Sequence, residues 1–584
     1  MAFQVSPGIN VSEINLTTTV GKGISTSTGA FAGNFKWGPV EERVLISSEV
    51  ELVNTFFKPD SDTYKNFFSV ANFLTYSNAC YVVRTGDANT SPTLKNAAAN
   101  TAILVKNDSD YLTKDSATLT AAGEFLAKYP GSLGNAIMIA ALDANTAAYN
   151  SNILTANTSL GITDAMVSAV GKWSDQFHFV PNTSEYANTY AGSNDEMHII
   201  VIAKDSSING ISGSVLEKFE GVSKIKGAKS EDGSTNFYVN VINNTSNYLR
   251  AGGKRILGAN DSLPASTHWT SHSKTFIMLS NGANASTPDI STGYGLFANS
   301  DEVDVSLIFT GDLNGETNAA QAKNIITIAE NRKDAVAFLS APYSLVSSAL
   351  PGSTITTNLV NFIQNTISKS SSYYVLDSGW KYQYDKYNDT YRWVPLNGDI
   401  AGLCARTDQS RDPWWSPAGF NRGSINNCIK LSWNPTQAQR DQIYKVGINP
   451  VVSFPGEGTI LYGDKTGLAK PSAFDRINVR RLFIVLEKSI ATAAKYSLFE
   501  FNDEFTRSQF RAMVESFLRE VKSRRGIYDF TVVCDNTNNT PDVIDNNQFV
   551  GDIYLKPARS INYIQLNFVA VRTGVDFNEI IGQF

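Results

Sequence analysis

At roughly 100–200 residues per domain, a chain of 584 residues is about three to five domains long, and one compact core is excluded. Its 42% hydrophobic content, with 24 Tyr and 32 Phe, excludes general disorder; its 18% charged content, against about 25% in an average domain, leaves a polar, weakly charged surface that is readily desolvated against another protein. The net charge of −6 gives no global positive field for nucleic acid or an anionic membrane, and Cys80, Cys404, Cys428 and Cys534, with no C-x-x-C pair or zinc spacing, imply neither a disulfide framework nor a structural metal and suit a reducing cytosol. The first residues lack the basic and apolar regions of a signal peptide, and no apolar stretch approaches the length of a membrane helix, so no membrane insertion is expected.

In chain order, Ser6-Pro7-Gly8 is a turn signal, followed by apolar residues alternating at Ile9 and Val11 and then a Thr-rich stretch. Residues 1–25 therefore read as an extended arm carrying one short strand. Residues 29–39 suit a strand closed by a Gly-Pro turn, and 45–84 give helical patches ending in a strand over 79–84, so 26–85 reads as the opening of a globular core. Between 86 and 275 the texture becomes rich in Asn, Ser, Thr and Gly around short apolar runs at 197–202 and 236–242, which predicts one or two inserted β-rich domains. From 276 to 472 the core resumes: strands over 303–309, 335–339 and 373–376 alternate with helices over 316–332 and 354–368, the pattern of a parallel sheet buried on both faces.

The stretch 473–560 reads as an α+β domain. Val479, Leu482, Phe483, Leu486 and Ile490 recur at helical spacing, as do Phe510, Met513, Val514, Phe517, Leu518 and Val521. Gly526 is expected to stop the second helix, with Arg524 and Arg525 suited to its C-terminus, and a strand follows over 528–534. In the final segment, 561–584, Ile564, Leu566 and Phe568 alternate with polar residues as a strand buried on one face.

Catalytic chemistry finds little footing. All four His, at 178, 198, 268 and 272, precede the α/β section that resumes at 276, so a Ser-His-Asp site there has no base. His268 and His272 have metal-compatible spacing without an activating Glu, and their Ser/Thr flanks suit a loop. The segment from Gly456-Glu457-Gly458 to Gly463-Asp464-Lys465-Thr466 has the outline of a phosphate loop, but Asp464 puts a carboxylate where phosphate would sit, and a glycine-rich turn is the better reading. The run 380–387 could stack bases or sugars; its alternation suits a strand with Tyr382, Tyr384 and Tyr387 packing across an interface. No catalytic, cofactor-binding or metal-ligating residue is assigned. Residues 474–525 hold eleven Lys/Arg against seven Asp/Glu, a local basic excess. Arg480, Arg481, Lys488, Arg519, Lys522, Arg524 and Arg525 are its candidates for docking an acidic protein partner, weighed against an ordinary solvated helix face.

Several long runs resemble the tail sheath proteins of contractile-tailed phages of the T-even type. They are Lys381-Tyr-Gln-Tyr-Asp-Lys-Tyr-Asn-Asp389, Asp399-Ile-Ala-Gly-Leu-Cys-Ala-Arg-Thr-Asp408, Trp415-Ser-Pro-Ala-Gly-Phe-Asn-Arg-Gly423, Phe474-Asp-Arg-Ile-Asn-Val-Arg-Arg-Leu-Phe483 and Pro557-Ala-Arg-Ser-Ile-Asn-Tyr-Ile564. The opening Ser6-Pro7-Gly8-Ile9 is similar too, and the resemblance covers 1–85 and about 275–584, with only patches between. It implies a subtilisin-like α/β core without a catalytic triad, β-rich insertions, and six-membered rings stacked helically around an inner tube. It further implies that both termini cross to neighbouring subunits, with Ile9, Val11 and Ile14 and with Ile564, Leu566 and Phe568 as the exchanged strands, and that the seven basic residues face the tube. Implied partners are the chain itself, the tail tube, baseplate and tail terminator proteins, in a virion assembled in host cytoplasm. The sheath of a bacterial contractile injection device is the near alternative; an α/β hydrolase and a glycan-binding surface protein are the remote ones.

Overall fold

The computed structural model describes residues 26–89, 93–256, 268–269, 275–313 and 319–562. These fall into two units, one made of 26–411 with 417–477 and the other of 412–416 with 478–562.

The larger unit is built on β1 (Gly29–Gly33), β2 (Arg43–Ile46) and β3 (Cys80–Arg84), with helix α1 (Tyr64–Leu74) between the last two. The chain then leaves this sheet and makes β4 (Phe125–Ala127), β5 (Ile137–Asp143), β6 (Glu196–Ala203), β7 (Val215–Ser223), helix α2 (Tyr238–Thr245), β8 (Leu249–Ala251) and β9 (Thr275–Met278). It returns at β10 (Leu307–Phe309), followed by helix α3 (Ala320–Arg332), β11 (Val336–Ser340), helix α4 (Gly352–Asn361) and β12 (Tyr374–Asp377). The hairpin β13 (Trp380–Asp385) and β14 (Thr390–Pro395), helix α5 (Asn397–Ser410), β15 (Lys430–Leu431), β16 (Ile448–Asn449), β17 (Val451–Phe454) and β18 (Gly458–Leu461) complete it.

The central sheet has seven strands in the order β16-β12-β11-β10-β1-β3-β2, all parallel except β2, which runs antiparallel along β3 at one edge. Strands β1, β10, β11 and β12 are buried along their whole length, as a sheet covered on both faces requires. Helix α5 packs on α1 so closely that a Cβ on Gly398 would lie 2.3 Å from the Ser69 carbonyl oxygen, which leaves glycine as the side chain that fits.

The insertion carries a four-stranded antiparallel sheet, β7-β6-β5-β9, and its central strand β5 is buried on both faces. Ile137, Ile139 and Ala141 enter one core, while Met138, Ala140 and Leu142 enter another. Two expectations are corrected here. The insertion runs past 275, because Thr275–Met278 pairs with β5 and the chain rejoins the central sheet at Leu307. The run 236–242 is not a strand: α2 begins at Tyr238, and Tyr238 and Ile242, one helical turn apart, are buried in the same core as Ile139 and Val201. Its β-branched composition yields to the burial of one helical stripe.

The smaller unit contains helix α6 (Ile477–Ala494), whose residues from Asn478 onward belong to it, helix α7 (Glu504–Ser523), β19 (Ile527–Val533) and β20 (Asp552–Pro557). Its start lies at 478 instead of 473. Residues before it are tied into the larger unit: Thr466 N–H donates to the Asp475 carbonyl at 3.0 Å, Ile477 N–H to that of Asp464 at 2.8 Å, and the Arg476 guanidinium meets the Asp464 carboxylate at 3.0 Å. It also recruits 412–416, whose Trp414 joins Leu482, Leu486, Phe510, Val514, Leu518 and Val521 in one core.

Candidate assembly surfaces

The carboxyl ends of parallel strands are where an α/β sheet offers a ligand crevice, and here that position is filled by the protein's own polar side chains. Ser340, at the end of β11, donates to Asp377 at 2.6 Å; the amide N–H of Asn397 donates to the Ser340 oxygen at 3.0 Å, and its side chain to the Gly311 carbonyl at 2.8 Å. Lys381 meets Asp399 at 2.9 Å, both side chains wholly buried, and Asp399 also lies 3.2 Å from the Tyr76 hydroxyl. Burial pushes the Asp377 carboxyl up to about 8 and raises that of Asp399 against the pull of Lys381. These contacts form a buried polar network at the start of helix α5.

Other sequence candidates for chemistry are likewise built into the fold. Gly456 and Gly458 both have positive φ, at 82° and 79°, in the turn joining β17 to β18, and Asp464 is held by Arg476 and lies 3.2 Å from the Tyr444 hydroxyl. His198 is buried, stacked on Phe177 at 4.3 Å, with its ring nitrogens on the Phe179 carbonyl and the Gly221 N–H, and burial lowers its pKa. His268 lies 2.6 Å from the Ser193 hydroxyl; His272 lies outside the described residues. Tyr382 packs in a ladder with Tyr391 and Trp393 on β14, at 5.6 and 4.7 Å. Among the described residues no helix is long and apolar enough to cross a membrane.

The smaller unit presents a different kind of site. β19 and β20 pair antiparallel from Ile527 opposite Pro557 to Val533 opposite Asp552, with a bulge between Ile527 and Asp529. Val532 and Ile527 enter the core with Phe530, Ile553 and Leu555 packed against it, while Tyr528 and Tyr554 are exposed. Neither strand has a second strand partner among the described residues; a strand edge left unpaired offers a row of backbone donors and acceptors. A two-stranded sheet of this kind is a template for added strands. The six residues expected to supply such strands, Ile9, Val11, Ile14, Ile564, Leu566 and Phe568, lie outside the described residues.

The seven basic candidates do not share one exposed face. Arg480 and Arg481 are buried, the first 3.5 Å from Glu487, and Lys488 is half-buried. The other four gather at the C-terminal end of α7: Arg519 pairs with Glu515 at 3.2 Å, Lys522 with Asp529 at 2.9 Å, Arg524 with Asp412, and Arg525 lies 5.6 Å from the Trp415 ring centre. The stop of this helix differs from expectation. Arg525, not Gly526, takes the left-handed position, with φ of 67°, while Gly526 N–H reaches back to the Val521 carbonyl at 2.9 Å. Gly526 is needed for closeness: a Cβ there would sit 2.7 Å from Val521 and 3.2 Å from Trp414.

Sequence reasoning overlooked the segment joining α6 to α7 together with the first turn of α7. Tyr496, Leu498, Phe499, Phe501 and Phe505 are all strongly exposed there. The signal was available: these apolar residues interrupt two amphipathic stripes without continuing either.

A family model described as the phage tail sheath protein central domain matches residues 284–467, and one described as the phage tail sheath C-terminal domain matches 469–570. The tail sheath protein of Enterobacteria phage T4 is 34% identical over 676 residues, covering 99% of each chain. That of Vibrio phage KVP40 is 35% identical over 684 residues, covering 99% of this chain and 100% of that one. Among solved structures, the sheath tail protein Lin1278 from Listeria innocua matches with a TM-score of 0.49 and 12% identity, covering 92% of this chain and 96% of that one.

Proposed function

The chain belongs to the phage tail sheath protein family, and on that premise we propose that it polymerises as stacked hexameric rings around a tail tube and contracts to drive the tube through the host envelope. The observation that carries this reading is identity of about a third along practically the whole length of two phage sheath proteins. Its place is then the virion, after assembly in host cytoplasm, with tail tube, baseplate and terminator proteins as neighbours. The larger unit serves as the rigid subtilisin-like core, its strand ends occupied by the Ser340–Asp377–Asn397 and Lys381–Asp399 contacts in place of a triad.

Assembly rests on backbone exchange. The two open edges of the β19–β20 sheet are the proposed acceptors for arms from adjoining copies, residues 9–14 and 564–568. Four to six added hydrogen bonds at about 0.5–1.5 kcal/mol each give on the order of several kcal/mol per junction. Such bonds join backbone to backbone, and the mesh is proposed to stay connected while the units it joins rotate. Contraction then needs no nucleotide: the extended array is a kinetically trapped arrangement that relaxes as each copy rotates to bury more surface.

The basic end of α7, with Arg519, Lys522, Arg524 and Arg525, is proposed as a docking surface for an acidic protein surface, with the tail tube as the partner the resemblance implies. Charge pairs of this kind weaken with salt and break without exposing large apolar areas. Electron microscopy of the purified chain, alone and with tube, tests the main reading. Striated hollow cylinders are the expected result, and a particle that never forms them in either condition contradicts it.

A further inference from the structure

The insertion buries a cluster of ionisable side chains that no proposed interface uses. Asp143 ends β5, Asp195 precedes β6 and Lys224 follows β7, and all three are wholly buried. The antiparallel register brings them to one end of the sheet: Asp143 lies opposite Met197, and Ser223 opposite Glu196. The Lys224 backbone N–H donates to the Asp195 carbonyl at 2.9 Å, which anchors the residue beside the start of β6. Its side chain reaches past that strand to meet the Asp143 carboxyl, with the Asn194 carbonyl 3.1 Å from the same nitrogen.

The second carboxyl is engaged elsewhere. Asp195 accepts from the Ser184 N–H and hydroxyl at 2.7 Å each and from the Ser223 hydroxyl at 2.5 Å. Lys224 and Asp143 thus face each other, and their chain neighbours Leu142, Val222 and Ile225 are buried as well. Burial disfavours both charged forms. It is the largest influence on Lys224 and lowers its pKa, although Asp143 and Asp195 pull the other way. A proton passing from the ammonium to the carboxylate leaves a neutral amine against a neutral carboxyl, the reactants of amide formation.

We propose that Lys224 and Asp143 condense into an amide that ties the end of β5 to the end of β7. The Lys224 Nζ lone pair attacks the Asp143 Cγ, and a C–N bond forms. The oxygen Oδ1, which takes up negative charge during the attack, already accepts the Ala144 N–H at 2.8 Å. The Asn194 carbonyl holds the amine by one of its hydrogens. Collapse breaks the C–O bond to the protonated Oδ2, and that hydroxyl leaves as water with a proton from the nitrogen. The balance needs no oxidant or co-reactant. In open water the reverse hydrolysis prevails, but groups held in contact react at effective molarities of about 10⁵–10⁸ M, and burial keeps water out. The other wholly buried pair, Lys381 with Asp399, is built differently: its carboxyl is met by the Tyr76 hydroxyl at 3.2 Å and by no backbone N–H among the described residues.

The link closes 144–223 into a covalent loop, so the ends of β5 and β7 stay joined when the hydrogen bonds of the sheet open. It lies within one copy and forms without assembly.

The test is intact-mass measurement and tryptic mapping of the purified full chain, fresh and after incubation at neutral pH. The chain is expected to be lighter than its sequence by one water. Trypsin no longer cuts after Lys224, and the peptide 219–226 appears joined to 129–172, with fragmentation placing the junction at Lys224 and Asp143. A Lys224→Arg chain keeps the cation but cannot close the bond, and is expected at its full sequence mass with the two peptides separate. Wild-type chain that stays at full mass and yields free 219–224 overturns the assignment. So does a loss of water confined to 129–172, the mark of ring closure between the Asp143 side chain and its own backbone. The wild-type map decides between these results whether or not the variant folds.

Discussion

Asp377→Asn probes how dry the polar network at the strand ends of the central sheet is. The carboxyl is buried at the end of β12, bonded to the Ser340 hydroxyl at 2.6 Å and the Gly379 N–H at 2.9 Å. Burial is the main cause that lifts its pKa to about 8, with the neighbouring Asp399 adding to it, while the two hydrogen bonds oppose the rise. The folded chain therefore keeps a proton that the unfolded chain releases near the ordinary carboxyl value of 3.8. Stability from this group is fully present below the unfolded pKa and declines as pH rises to about 8. At about 1.4 kcal/mol per unit of pH, the loss between about pH 4 and about pH 7 is on the order of 4 kcal/mol. Asn cannot ionise, so the variant lacks this slope. Hydrogen exchange at the β11 and β12 amides, followed across that range, reports the opening of this core without requiring the whole chain to unfold in one step. The variant is expected to match wild type near pH 4 and to gain protection over it by a few kcal/mol near neutrality. Parallel profiles for the two proteins would refute the argument that this carboxyl is desolvated and neutral.

Three further substitutions test particular contacts. Lys381→Met leaves the buried Asp399 carboxyl without its cation and should destabilise the larger unit by about 3–5 kcal/mol, read as a lowered denaturation midpoint; replacing both residues with apolar ones should recover most of the loss. Gly398→Ala forces a methyl toward the Ser69 carbonyl oxygen, 2.3 Å from an added Cβ, and should cost about 1–3 kcal/mol in a thermal melt. Gly526→Ala drives a methyl against Val521 and Trp414; a loss of about 1–3 kcal/mol should appear in the smaller unit alone, visible as faster exchange in α7 and β19.

Legibility in the sequence followed how local the determining physics was. The strands over 335–339 and 373–376 and the two C-terminal helices announce themselves through unbroken apolar runs or clean helical spacing, and β11, β12, α6 and α7 lie over those positions. Residues 236–242 misled because their alternation is that of a strand, while the decisive fact is a distant one, the uncovered face of β5 and β6 that Tyr238 and Ile242 close. The basic count over 474–525 overlooked burial: Arg480 and Arg481 are both buried although neither lies on the helical stripe of Leu482 and Leu486. The polar network was unreadable because Ser340, Asp377, Asn397 and Asp399 meet only when separate strand ends and a helix start converge. That β19 and β20 pair only with each other among the described residues is likewise encoded in no local pattern.

The account turns on strands passing between copies at the β19–β20 edges. Its most direct test is electron microscopy of a chain lacking residues 1–20 and everything beyond 560, after circular dichroism has established that both units remain folded. Folded particles that build no cylinders, with or without tube, are the predicted result; cylinders that assemble and shorten like those of the complete chain would contradict it.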